Sequence, residues 1–212
     1  MSDTYKEDEA RRVVGPGYDR AAAEYAKLEG ETPWPRIEWL RKLLARLSAD
    51  SSLLDIGCGS GEPADTEIAR NHKITGVDVS QSQIELAQAN VPSGQFMRAD
   101  VRDLHFQDGS FDAVVTFYTF DHIPRVEHGT ILCQIRRWLR PGGYLLLSIE
   151  AADIDDVTDN WLGQPMFFSI HPPEITRRLV EDAGFTIIES EIQEQIEGTT
   201  KIPYLWILAA SS

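Results

Sequence analysis

The sequence predicts an α/β fold with a doubly wound, seven-stranded sheet that is mostly parallel and ends in an antiparallel hairpin strand. Three observations predict it. From Leu53 onwards, short apolar runs alternate with helical segments, which is typical of parallel strands with helices on both faces. The first run leads into a glycine-rich turn, and the second ends in Asp78. Beyond Gly184, two strand-like runs follow each other directly, which indicates a hairpin.

The N-terminal part is predicted to be helical and to precede the sheet. One helix is expected to begin after Gly15-Pro16-Gly17, with Tyr18 and Tyr25 on one face, and a second to follow with Leu40 and Leu44 on one face. We therefore expect residues 1–47 to form a helical cover and residues 48–212 to form the α/β core.

The elements of the core follow in order. Strands are predicted at 53–56, 73–77, 94–98, 111–117 and 143–149, and helices at 63–70, 80–89, 126–139 and 174–183. Ser80 and Gln83 have the spacing of a capping box, which places a helix N-terminus just beyond Asp78. The stretch 151–173 is too long for a simple link and is expected to be a loop that shapes a ligand pocket.

Size and charge limit the classes of function. The chain has 212 residues, 42% of them hydrophobic, which suits a single domain spanning 1–212. A formal net charge of -14 opposes phosphate backbones and anionic lipid, so we expect no nucleic-acid or membrane partner. A small molecule is the expected partner, and the sequence leaves the oligomeric state open.

Cysteine usage and the N-terminus predict a cytoplasmic protein. Cys58 and Cys133 have no spacing typical of a disulfide framework or a thiolate metal site. The first residues are charged, and no apolar run reaches the roughly 18 residues of a membrane span. We therefore expect neither export nor membrane insertion.

The segment LLDIGCGSG, followed by ITGVDVS, is the arrangement that binds an adenosine-containing cofactor. A nicotinamide or flavin Rossmann domain is one interpretation, because a GxGxxA pattern starts at Gly59 and Asp78 lies 19 residues further on. Pro63 at the turn, the negative Asp55 beside it and the lack of room for a second domain argue against a dinucleotide.

Taken together, DIGCGSG, Asp78, FMRADV, FDAVVTF and LRPGGYLLL resemble the class I methyltransferases that use S-adenosylmethionine, over roughly residues 18–210. The resemblance implies a Rossmann-like sheet and this cofactor. It implies that Asp78 binds the ribose hydroxyls and Asp100 the adenine amino group. The cofactor residues carried over are Tyr18, Asp55, Gly57, Cys58, Gly59, Gly61, Asp78, Val79, Asp100, Val101, Phe117, Tyr118 and His122.

Such a protein is expected to transfer a methyl group, by in-line displacement, to an oxygen, nitrogen or sulfur of a small molecule. The candidate catalytic residues are His122, His171 and Tyr18, each of which also fits a purely structural role. The candidate acceptor-binding residues are Tyr18, Tyr25, Met166, Phe167, Phe168, Ser169 and His171. The acidic run 153–159 is interpreted as a solvated loop, so no metal is predicted. A protein that binds the cofactor without methyl transfer, either cyclase-like or regulatory, is the alternative.

Overall fold

The fold is built on a mixed sheet, and the computed structural model describes residues 3–31, 35–197 and 199–211. The strands are β1 (Ser52–Ile56), β2 (Lys73–Asp78), β3 (Gln95–Arg98), β4 (Phe111–Phe117), β5 (Leu139–Glu150), β6 (Ile154–Trp161), β7 (Gln164–Ile170), β8 (Phe185–Glu197) and β9 (Thr200–Ser211). The helices are α1 (Asp3–Glu31), α2 (Arg36–Leu44), α3 (Ala64–Ile68), α4 (Gln81–Asn90), α5 (His128–Trp138) and α6 (Pro173–Asp182).

Seven of these strands form one sheet in the order β3-β2-β1-β4-β5-β9-β8. The first five are parallel, and β9 pairs antiparallel with both β5 and β8. The expected seven-stranded α/β sheet with a C-terminal antiparallel hairpin is confirmed.

The central strands are apolar because both faces of the sheet are covered. In β1, Leu54 and Ile56 face a cluster beneath α5 and α6, whereas Leu53 faces a cluster that includes Trp39 of α2. These four side chains are at most 1% exposed. Parallel strands buried on both faces need such continuous apolar runs, which is why they could be recognised.

The N-terminal helix is longer than predicted. The expectation that it begins after Gly15-Pro16-Gly17 is wrong, because α1 runs through this tripeptide. A Cβ on Gly15 would lie 3.0 Å from the carbonyl oxygen of Val79, and one on Gly17 would lie 3.0 Å from Cε of Met166. The two glycines allow α1 to approach the sheet and a hairpin closely.

That hairpin is the second difference. The stretch 151–173, expected to be a loop, contains β6 and β7, which pair antiparallel as a separate two-stranded sheet. Met166 and Phe167 of β7 are buried against Val13 and Val14 of α1. The apolar residues of this stretch therefore bind the N-terminal helix to the core.

The predicted cap of α4 is present in part. The Ser80 Oγ accepts a hydrogen bond from the Gln83 N–H at 3.2 Å. The Ser80 N–H, which a full capping box would give to Gln83, is donated instead to Asp78 Oδ1 at 2.8 Å. This cap therefore also fixes the carboxylate at the end of β2.

Across the parts of the chain that the structure describes, no helix combines the length and the apolar composition needed to cross a bilayer.

Candidate functional site

A cavity of about 810 Å³ lies at the carboxyl ends of the central strands. It opens where the order of the strands reverses, between β1 and β4, with α1 lying over it. Ligands of open α/β sheets bind at such switch points. The residues predicted from the sequence that line it are Tyr18, Tyr25, Gly57, Gly59, Asp78, Val79, Asp100, Val101, Phe117, Tyr118 and His122.

The glycine-rich turn forms one wall of the cavity through its backbone. Gly57 has a φ of +75°, and a Cβ there would lie 2.0 Å from Oγ1 of Thr119. Gly59, with a φ of +54°, donates its N–H to Asp78 Oδ2 at 3.0 Å. The turn therefore needs glycine for its conformation and for its close contact with the segment after β4.

Asp78 lies at the end of β2 with a carboxylate held by two backbone N–H groups, from Gly59 and Ser80. Burial raises the pKa of Asp78 from 3.8 to about 6, against the two donated hydrogen bonds, which lower it. At neutral pH it is an ionised acceptor in a mostly enclosed cavity, which is what binding a ribose diol requires.

Asp55, Cys58 and Gly61 do not line the cavity, although the resemblance implies a cofactor role for each. Cys58 is buried behind the turn against Ile84 and Ala87 of α4. A Cβ on Gly61 would lie 3.3 Å from Val91, so this glycine allows α4 to pack closely.

Asp55 points to the other face of β1. Its carboxyl group interacts with that of Asp65, the Arg36 guanidinium lies nearby, and all three side chains are buried. Burial raises the pKa of both carboxyl groups, Asp65 more strongly, and so Asp65 is the protonated partner. A cofactor role for Asp55 stays a prediction.

Asp100 lines the cavity, but its carboxylate is already paired. Arg102 donates to Oδ1 at 2.8 Å and to Oδ2 at 2.6 Å, and Arg11 of α1 lies 3.1 Å from Oδ2. A contact from Asp100 to an adenine amino group stays a prediction. The pairing shows a second task, which is to bind α1 over the cavity.

His122 and Tyr18 meet inside the cavity. Nδ1 of His122 lies 2.8 Å from the carbonyl oxygen of Phe167, which can only accept, so Nδ1 carries the hydrogen. Nε2 is then the acceptor for the Tyr18 hydroxyl at 2.9 Å. Burial lowers the pKa of His122 to about 4, so the ring is neutral at pH 7.

A second cavity of about 360 Å³ adjoins the first and shares Tyr18, Tyr25, Tyr118 and His122 with it. Phe168 is the predicted acceptor-binding residue of 151–173 that lines it, and its ring lies 5.2 Å from that of His122. The second cavity therefore lies on the far side of the Tyr18–His122 pair from Asp78.

The remaining acceptor candidates lie elsewhere. Met166 and Phe167 pack on α1, and the Ser169 hydroxyl accepts the Arg125 N–H at 2.7 Å. His171 donates from Nε2 to the carbonyl oxygen of Arg125 at 3.1 Å. Because β7 alternates its side chains, Phe168 faces the cavity and its neighbours do not. The structure therefore gives His171 no place at either cavity.

Several lining residues were missed from the sequence. They are Ala10, Arg11, Val14, Gly15, Gln83, Ala99, Arg102, Thr119 and Ile123 in the first cavity, and Asp121, Glu150, Trp161, Glu197 and Tyr204 in the second. The signal for those in α1 was the heptad-like spacing of Ala10, Val14 and Gly17, which continues through the Gly-Pro-Gly tripeptide.

The acidic run 153–159 is partly paired. Arg125 lies 2.8 Å from Asp153 and 3.0 Å from Asp155. Among the residues described, no three histidine, cysteine, aspartate or glutamate side chains are placed to hold a metal ion.

Comparisons with known proteins agree with this geometry. A family model described as a methyltransferase domain matches residues 54–147. An O-methyltransferase of Aspergillus sclerotiorum is 34% identical over 176 residues, covering 76% of this chain and 66% of that protein. An O-methyltransferase of Aspergillus nomiae is 40% identical over 163 residues, covering 70% of this chain and 71% of that protein. The chain thus spans about two thirds of the length of these relatives.

Among solved structures, the 1,6-didemethyltoxoflavin-N1-methyltransferase of Burkholderia thailandensis, with 1,6-didemethyltoxoflavin and S-adenosylhomocysteine bound, has the same fold. Its TM-score is 0.74 at 20% identity, with 100% of this chain and 92% of that chain covered.

Proposed function

The chain belongs to the class I methyltransferases that use S-adenosylmethionine, and from that premise we propose that it methylates a hydroxyl group of a small molecule. The observation that carries the proposal is the pair of adjoining cavities, one ending at Asp78 and the other beyond Tyr18 and His122. Two ligands placed in them would meet beside Nε2 of His122. The oxygen acceptor is favoured by the printed activity of the two Aspergillus relatives.

The residues of the first cavity fit the cofactor. Asp78 supplies an ionised acceptor for a diol, Gly57 and Gly59 allow close backbone approach, and Phe117 and Val79 supply apolar surface. S-adenosylmethionine supplies a methyl group already activated on a sulfonium. The protein then has to orient the acceptor and exclude water, which can lower the barrier by roughly 7–11 kcal/mol in favourable cases. We propose Asp78, Val79, Val101 and Asp100 as cofactor contacts.

A hydroxyl acceptor must lose its proton during or around transfer. Nε2 of His122 has a lone pair directed to the Tyr18 hydroxyl, and the two groups line both cavities. We propose that Tyr18 and His122 position the acceptor hydroxyl and receive its proton. The carbonyl oxygen of Phe167 holds the imidazole in the tautomer that this task needs.

We propose further that the 212 residues form one domain in which 1–47 act as a lid. Arg11 and Tyr18 of α1 contact Asp100 and His122 of the core, so the lid is bound on both sides of the first cavity. Location in the cytoplasm stays a prediction.

The proposal is tested with methyl-labelled S-adenosylmethionine and a panel of phenols and alcohols, each paired with its own methyl ether as a blocked control. Label in at least one free hydroxyl compound, and in none of the ethers, is expected. Cofactor binding by calorimetry with no label transfer to any hydroxyl, amine or thiol acceptor would favour the alternative of a non-transferring protein. Absence of S-adenosylhomocysteine binding would overturn the assignment of the first cavity.

A further inference from the structure

The wall of the second cavity opposite His122 is acidic. Asp121, Glu150 and Glu197 line it, and they come from three places in the chain: the turn after β4, the end of β5 and the end of β8. Asp121 is 4% exposed, and its Oδ1 accepts the Glu150 N–H at 2.9 Å. Glu197 accepts hydrogen bonds from the Tyr204 hydroxyl at 2.8 Å and from Gln195 at 3.1 Å.

Two of these carboxylates lack donors for their remaining oxygens. Within the described residues, no group donates a hydrogen bond to Asp121 Oδ2 or to the Glu150 carboxylate, and no lysine or arginine forms an ion pair with any of the three acids. Asp121 is therefore a buried acid with one oxygen turned to the cavity and unpartnered. Burial, together with the charges of Glu150 and Glu197, raises its pKa well above the ordinary value.

The rest of this cavity is aromatic. The Tyr18 ring lies 5.4 Å from that of Tyr25 and 5.2 Å from that of Trp161, and Tyr25 lies 5.6 Å from Trp161. Tyr118 and Tyr204 meet edge to face at 4.8 Å on the other side. Rings around a small volume attract a cation through their quadrupoles, most strongly where water is excluded.

Acidic groups gathered without a counter-charge destabilise one another, and an ion that joins them relieves the repulsion. An ammonium group has three donors, which suit the open oxygens of Asp121 and Glu150, and its methylene groups suit the rings. A neutral acceptor would leave the repulsion in place, and an anionic one would increase it.

We propose that the second cavity binds a protonated amine, so that the molecule methylated by this enzyme carries a cationic nitrogen beside the hydroxyl that receives the methyl group. The inference rests on the proposed function, because that function makes the second cavity the acceptor site. Asp121 and Glu150 are its cation-binding residues, and Tyr25 and Trp161 enclose the methylene groups of the amine.

The test compares two probes of nearly equal shape, tyramine and 4-propylphenol, by calorimetry at pH 7.5 with and without S-adenosylhomocysteine. Tyramine is expected to bind at least about tenfold more tightly to the natural protein. Glu150→Gln keeps the shape and removes the charge, and it should bring the ratio of the two dissociation constants close to one. Glu181→Gln makes the same change at an exposed position of α6 and should leave the ratio unchanged.

The outcomes separate this inference from the proposed function. Equal affinities, tighter binding of 4-propylphenol, no binding of either probe at 20 mM, or a ratio that Glu150→Gln leaves intact would each overturn the cationic acceptor. S-adenosylhomocysteine binding is measured in the same samples and reports on the first cavity alone. A protein that binds this nucleoside but does not prefer tyramine retains the proposed function and loses the inference.

Discussion

The Tyr18 hydroxyl donates a hydrogen bond of 2.9 Å to Nε2 of His122, and this contact joins the N-terminal helix α1 to the turn that follows β4. The two rings also meet edge to face with centroids 5.5 Å apart. The contact spans 104 residues of sequence. Because both residues line both cavities, the point where α1 closes on the core is also the point where two ligands would meet.

The role of His122 as proton acceptor predicts a specific kinetic pattern. His122→Ala should lower kcat by about 10²-fold while S-adenosylhomocysteine affinity changes little, because the imidazole acts on the acceptor. Tyr18→Phe keeps the ring and removes the hydroxyl, so it tests the hydrogen bond apart from the packing. With the pKa of His122 at about 4, kcat of the natural enzyme at saturating cofactor should not fall as the pH drops from 8 to 6.

Two results would contradict this role. Near-normal turnover by the His122→Ala enzyme would make His122 a structural residue. A kcat profile with an apparent pKa near 6.5 that disappears in the same variant would show that the imidazole titrates outside the buried environment described above.

The carboxylate of Asp78 should make cofactor affinity depend on pH. Its pKa is about 6 in the free protein, and only the ionised form accepts two hydrogen bonds from a diol. Binding of S-adenosylhomocysteine should therefore weaken as the pH falls below about 6. Asp78→Ala should weaken binding by roughly 2–3 kcal/mol at pH 7.5, the cost of losing charge-assisted hydrogen bonds.

Calorimetry from pH 5 to 8 measures both effects. Asp78→Asn is the matched variant, because it keeps the shape and one acceptor while it removes the titration. Its affinity should be lower and nearly independent of pH. Unchanged affinity in the alanine variant would remove Asp78 from the site.

The site was only partly visible in the sequence, and the reason is physical. Gly57, Gly59 and Asp78 could be located because a tight turn and the end of a buried strand have local signatures in residue type and spacing. Glu150 and Glu197 could not, because only the register of three strands brings them together: β5 pairs Glu150 with Tyr204, and β8 pairs Glu197 with Thr200. Local patterns carry no information about such long-range neighbours.

The error at Gly15-Pro16-Gly17 has a related cause. Glycine and proline are helix breakers in isolation, at costs of about 1 and 3 kcal/mol. Here the tripeptide lies where α1 passes Val79 and β7, and the close packing that the two glycines permit outweighs their low propensity. Tertiary contact, which a single sequence does not display, decides the conformation.

The buried pair Asp55 and Asp65 predicts a pH-dependent stability. Because the pKa of Asp65 in the folded protein lies well above 3.8, the folded state holds a proton that the unfolded chain loses as the pH rises past 3.8. The free energy of unfolding therefore falls with rising pH above that value. Asp65→Asn removes this linkage, so the variant should gain stability relative to the natural protein as the pH increases, by at least about 1 kcal/mol at pH 7.5.

Urea unfolding at pH 4.5, 6 and 7.5 checks this difference. Asp182→Asn, at an exposed position of α6, is the matched control and should give a nearly constant difference. A variant at position 65 that loses stability as the pH rises would show that the buried carboxyl is ionised and that Arg36 holds it as an anion.

The close approach of α1 to β2 gives the last prediction. A Cβ on Gly15 would lie 3.0 Å from the carbonyl oxygen of Val79, and neither backbone can yield without shifting the helix. Gly15→Ala should therefore lift α1 from the first cavity at a cost of about 1–3 kcal/mol. Because Arg11 and Tyr18 are carried on the same helix, S-adenosylhomocysteine affinity should fall about tenfold, which is 1.4 kcal/mol. Ala23→Leu, which adds volume at an exposed position of α1, should leave affinity unchanged. The core clusters beneath the sheet do not include α1, so the main unfolding transition should move little. Full affinity in the Gly15→Ala protein would show that α1 does not need its close contact with Val79 to cover the cavity.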